Sequence, residues 1–139
     1  MVTQVSQAIK KSLECPDETR EFPNGKIEFV DVGGRNVARV TLKPGWNWSI
    51  DVQPIVNTSL CEVAHLQYCI SGRLAVEMSD GTRLDIGPGD VVSIPPGHKA
   101  WVIGDEPCCL VDFLGMKEYA EKPEGQEQTP GVYDEALYE

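Results

Sequence analysis

Closely spaced turn signals constrain this chain more than any other feature. Gly33-Gly34, Pro44-Gly45, Ser71-Gly72, Asp80-Gly81, Gly87-Pro88-Gly89-Asp90, Pro95-Pro96-Gly97 and Gly104-Asp105-Glu106-Pro107 cut residues 26–114 into short runs. Gly supplies the positive-φ positions of tight turns and Pro cannot donate to a ladder, so each cluster marks the end of a strand. The runs between them are 26–32, 35–43, 62–70, 73–78, 82–86, 91–94, 99–103 and 108–114. Within 35–43, Val37, Arg39 and Thr41 share one face and Ala38, Val40 and Leu42 the other, the period of a half-buried strand. Short strands at such even spacing predict an all-β antiparallel sandwich or small barrel. Helical periodicity is confined to 3–14, where Val5, Ala8, Ile9 and Leu13 fit a short amphipathic helix; an edge strand fits nearly as well.

The 139 residues suffice for one domain that buries roughly two-thirds of its unfolded surface, so no metal or disulfide staple is required. The sequence predicts that domain over 1–116 and a poorly ordered acidic tail over 117–139, where Pro123, Gly125, Pro130 and Gly131 interrupt any pattern. The net charge of −10 argues against nucleic acid and membrane partners, whose anionic surfaces attract clustered Lys and Arg. Half of that charge belongs to the tail, which makes solubility its plainer use. No apolar run approaches the roughly 18 residues of a membrane span, and no basic-then-apolar leader opens the chain. Five cysteines, an odd number, fit reduced thiols in a cytoplasmic protein better than a disulfide framework.

Two segments carry a more specific signal. Residues 89–97, Gly-Asp-Val-Val-Ser-Ile-Pro-Pro-Gly, have the shape Gly-x5-Pro-x-Gly, and residues 65–72, His-Leu-Gln-Tyr-Cys-Ile-Ser-Gly, read as a strand closed by a Ser-Gly turn. With the spacer 84–90 between them, residues 36–114 resemble the cupin superfamily, in its small single-domain form. The resemblance implies an antiparallel jelly-roll β-barrel whose interior, open at one end, holds a metal or a small molecule. The family's metal ligands do not carry over in place. Aligned through Gly72, the family's glutamate position falls on His65. Its paired histidine positions fall on Ser59 and Cys61, or on Thr58 and Leu60 with the longer spacing. The second motif's histidine position is Ala100, with His98 two residues earlier.

A different ligand set follows from strand parity. Cys61, His65, Gln67 and Cys69 share a face, so if His65 points into the barrel, as the resemblance implies for the family's glutamate position, Cys61 does too; His98 shares the parity of Ala100, the family's histidine position, and with it an inward facing. One thiolate and two imidazoles suit Zn²⁺ with an open fourth position, the most natural divalent metal for this set, with Fe, Ni and Mn left open. An iron site usually keeps a carboxylate, and none of these inward positions offers one. Each residue also has a plainer use: His65 as a hydrogen-bonded barrel histidine, His98 as a rim residue, Cys61 and Cys69 as small buried apolar groups. The polar stretch 46–60 is long enough for a lid, and Trp48, Gln53 and Asn57 there, with Gln67, are the candidate ligand-binding residues. Trp46, Trp48 and Trp101 otherwise serve as core or interface packing, and Arg39 as a surface ion pair. The readings are thus a small cupin binding a small molecule, with or without metal-assisted catalysis, or a metal-free binding or structural cupin. Edge strands and an apolar sheet face further predict a homodimer, with the N-terminal segment, Trp101 and Phe113 as candidate cover.

Overall fold

The structure, a computed structural model, describes residues 7–114, 116, 117 and 119–121. Among the described residues nine strands run in the order β1 (Glu18–Phe22), β2 (Gly25–Val32), β3 (Arg35–Leu42), β4 (His65–Ser71), β5 (Leu74–Met78), β6 (Arg83–Ile86), β7 (Val91–Ile94), β8 (His98–Val102) and β9 (Cys108–Asp112). All pairings are antiparallel and make two sheets, one ordered β1-β2-β3-β9-β4-β7 and the other β6-β5-β8. The fold is the all-β, antiparallel, cupin-like one expected, although hydrogen bonding does not close the two sheets into one continuous barrel. Their inner faces share one core. Ala38, Val40, Leu42 and Leu110 from the larger sheet meet Leu74, Val76 and Ala100 from the smaller.

The alternation along β3 falls as its sequence predicts, with Ala38, Val40 and Leu42 buried and Arg39 outside, paired with Glu28 and Glu14. Gly72 is a place where only glycine serves. Its φ is +79°, and a Cβ there would overlap the Pro107 carbonyl and the Cys108 backbone, which cross the end of β4.

Three departures matter. Residues 7–14 form neither the helix nor the edge strand expected for 3–14, because Ala8 and Ile9 bury nothing against the body; residues 1–6 lie outside the described residues. Strand β1 has no counterpart among the expected strands: Glu-Thr-Arg-Glu-Phe is too charged to look like one, yet it pairs with β2 across a Pro23-Asn24 turn in which Asn24 takes φ 63°. The polar stretch 46–60 is not featureless, since it folds into α1 (Trp48–Asp51) and α2 (Gln53–Val56). Asn47 caps α1 by accepting from the Ser49 N–H, and the buried Asp51 carboxylate accepts from the Asn47 N–H at 2.9 Å. Trp48, Val52 and Ile55 are thereby turned into the core.

The segment after β9 also differs from the expected tail. Met116, Tyr119 and Ala120 are buried, and Arg20 of β1 holds them by donating to the Lys117 and Tyr119 carbonyls, each at 2.7 Å. Most of the stretch counted as tail, 122–139, lies outside the described residues.

Candidate metal and ligand site

His65 opens β4 with its ring inside, as parity requires, and Gln67 and Cys69 follow on the same face. The register sets Gln67 opposite Asp112 of β9. That carboxylate, 0 % exposed, accepts from His65 Nδ1 at 2.9 Å, from Gln67 Nε2 at 3.0 Å and from the Leu114 N–H at 2.9 Å. Three donors around one carboxylate compensate much of the cost of burying its charge. Asp112 corrects the expectation that no inward position offers a carboxylate. Its signal was present, since it shares parity with Cys108 and Leu110, but it stands at the strand's end beside exposed Phe113.

His98 opens β8, also inside. Its Nδ1–H donates to the Pro95 carbonyl at 2.8 Å, and burial, opposed by that bond, lowers its pKa to about 4. Both rings are thus anchored through Nδ1, by a carboxylate in one case and a carbonyl in the other, which makes Nε2 the ring nitrogen open to a metal in each. The rings stand edge to face with centroids 5.1 Å apart.

Cys61 arrives by a route that parity did not describe. It lies before β4, and its backbone bridges to His98: its N–H donates to the His98 carbonyl at 2.7 Å and its own carbonyl accepts from the Gly97 N–H at 2.7 Å. Residues 62–64 therefore cross from the smaller sheet to the larger, and Cys61 and His65 face each other across that crossing with Sγ and Nε2 4.0 Å apart. One donor atom from each of Cys61, His65 and His98 lies within 4.8 Å of the others, and all three residues are buried. Tetrahedral Zn²⁺ with ligand bonds of about 2.0–2.3 Å holds its donors about 3.5 Å apart, so the cluster is open by well under the length of one bond. Burial pushes the Cys61 thiol up to about 12, so the metal-free site keeps it protonated and a thiophilic cation would displace that proton.

The cluster faces a cavity of about 30 Å³, room for a water or two. Trp46, Trp48, Gln67 and Tyr119 line it with His65 and His98, amid Val, Leu and Ile side chains of both sheets. The indole N–H groups of Trp46 and Trp48 are buried with no hydrogen-bond partner among the described residues. A second cavity of about 90 Å³ lies alongside, lined by Val52, Val56 and Val63 and sharing Trp48 and Tyr119 with the first; Cys61 also lines it. Gln53 and Asn57 line neither cavity. Gln53 begins α2, and Asn57 ends it, exposed, with φ 59°. Sequence reasoning missed Tyr119, whose ring stands 5.8 Å from that of His65, because its acidic, Pro-rich context reads as tail. Trp101 faces outward as expected, beneath the Arg83 guanidinium at 5.3 Å.

No protein-family model matches the chain, and no curated protein sequence does. Solved structures do resemble it. The chain is similar to a cupin-superfamily sugar phosphate isomerase from Silicibacter pomeroyi, at 21% identity and a TM-score of 0.52 over 74% of this chain and 73% of that one. It is also similar to a DUF1255 protein of unknown function from Acinetobacter sp. ADP1, at 15% identity and a TM-score of 0.52 over 71% and 90% of the two chains. A third likeness is to a protein of unknown function from Vibrio parahaemolyticus, at 12% identity and a TM-score of 0.51 over 78% of this chain and 100% of that domain.

Proposed function

From the premise that the chain is a small domain of the cupin fold, we propose that it binds a divalent metal, Zn²⁺ by preference, through Cys61, His65 and His98, and a small molecule in the adjoining cavity. The observation that carries this reading is the convergence of three buried soft and borderline donors, one thiol and two Nε2-presenting imidazoles, within 4.8 Å. Asp112 supports it by fixing the His65 tautomer and adding a second negative charge to that of the Cys61 thiolate, so that a dication at the site is balanced. When bound, such a metal polarises a carbonyl or acidifies a coordinated water. The chain's own residues do the rest. Asp112 and Pro95 orient the imidazoles, Gln67 steadies Asp112, and Trp48 and Tyr119 exclude bulk water. Protein purified without added metal should carry stoichiometric zinc by elemental analysis, and a His65→Ala variant should lose it while staying folded. A wild-type protein that neither carries nor takes up zinc would overturn the reading.

A second reading has its own observation. Cys61, His65 and Asp112 stand in line, at 4.0 and 2.9 Å, in the order of a thiol nucleophile, a base and its orienting carboxylate. Burial that keeps the thiol protonated ranks it below the metal site. Alkylation of Cys61 faster than that of exposed Cys15 at pH 7 would reverse the ranking.

We further propose a homodimer formed through the outer face of β4, β7 and β9, where Leu66, Tyr68, Ile70, Val91 and Phe113 are exposed together. Light scattering that gives a clean monomer at micromolar concentration would remove it.

A further inference from the structure

The chemistry of the two cavities is narrower than "small molecule". Trp46 and Trp48 are each 2 % exposed, and among the described residues their indole nitrogens have no partner. An indole N–H only donates, and a buried donor left unpaired is costly enough that native interiors rarely keep one. Two of them at one cavity call for an acceptor atom supplied by whatever occupies it. The occupant's charge is constrained as well. Among the described residues no Lys or Arg lines either cavity, while Glu62 lines the second and the buried Asp112 carboxylate stands behind His65 and Gln67 of the first. Two neutral donors beside a buried carboxylate cannot offset the desolvation of a phosphate or carboxylate group.

The second cavity supplies the remaining constraint. Its lining is mainly apolar, Val52, Val56, Val63 and Ala120 beside Thr58, Cys61 and Glu62, with Trp48 and Tyr119 as the partition from the first. A space lined mainly by hydrocarbon favours an apolar occupant over ordered water. An occupant of both spaces has an acceptor oxygen at one end and an alkyl or aryl tail at the other.

We infer that the ligand is an uncharged carbonyl compound with an apolar tail: its oxygen accepts from the Trp46 and Trp48 indoles, and its tail displaces the Tyr119–Trp48 partition to enter the cavity walled by Val52, Val56 and Val63. This rests on the proposal that the cavity is the ligand site, and it concerns the metal-free protein. The class is set apart from sugar phosphates by charge alone.

The test is a titration of zinc-stripped, isotope-labelled wild-type protein with 2-butanone, 2-pentanone and 2-hexanone, following the indole N–H resonances by NMR. Both indole signals should move, with affinity rising about fourfold per added methylene, the worth of burying one CH₂. Hexanoate should bind at least tenfold more weakly than 2-hexanone, and pentane should leave the indole signals in place. Trp46→Phe and Trp48→Phe should each weaken 2-hexanone by about fivefold, one neutral hydrogen bond, and Val56→Phe should abolish the gain per methylene. The wild-type series stands by itself if a variant does not fold. Equal or tighter binding of hexanoate, indole shifts with pentane as large as with the ketone, or no shift with any ketone would overturn the inference. Zinc uptake with no ketone response would remove the ligand class and leave the metal site. A ketone response without zinc uptake would do the opposite.

Discussion

The two walls of the site hold their histidines by different means. In the six-stranded sheet, His65 leans on a charged side chain, Asp112, that belongs to a neighbouring strand and also serves Gln67 and a backbone N–H. In the three-stranded sheet, His98 leans on a backbone carbonyl, that of Pro95, three residues back along its own chain. The first anchor is long-range and costly to break, because removing it strands three donors in the interior. The second is local and neutral, and leaves burial free to hold His98 unprotonated. One imidazole is thus kept ready by a buried negative charge, the other by the exclusion of water.

Breaking the long-range anchor should produce the largest effect. Asp112→Ala should cost about 3–5 kcal/mol, the range for removing one partner of a buried charged network, seen as a fall in Tm on the order of 10 °C. The milder Asp112→Asn should leave the fold standing but weaken zinc binding by about 10- to 100-fold, the usual toll of losing such a support. Unchanged zinc affinity would mean that the carboxylate serves packing alone.

The His98 side is tested by acid. Its folded pKa of about 4 lies below the ordinary value of 6.5, so the unfolded chain takes up the proton first as pH falls. Stability conferred by the neutral ring is therefore complete above pH 6.5 and is lost toward pH 4. Metal-free protein should lose about 2 kcal/mol between pH 7 and pH 5 by urea unfolding. His98→Gln should flatten that slope. A wild-type profile that is already flat over this window would show His98 to be in contact with water.

The smallest effect belongs to the outer surface of the larger sheet. Arg39 pairs with Glu28 at 3.0 Å and with Glu14 at 2.7 Å, and Glu14 is largely exposed. Arg39→Ala should cost less than about 1 kcal/mol and leave zinc content unaltered. A larger loss would mean that the strap formed by residues 13–14 supports the inner wall.

Period-2 alternation and turn chemistry are local, and what depends on them was legible from the chain: eight of the nine strands among the described residues, the alternation of β3 and β4, and the outward placement of Trp101 and Phe113, while the inward facing of His65 came from the cupin resemblance. Strand β1 escaped because its pairing with β2, rather than any apolar face of its own, makes it a strand. Which residues meet across the interior is not a local property. The register that sets Asp112 against Gln67, the sheet crossing at 62–64 that turns Cys61 toward His65, and the burial of Tyr119 under the hold of Arg20 each join positions from distant or unpatterned segments. Side-chain parity says which way a residue faces; only the packing of two sheets decides what it finds there.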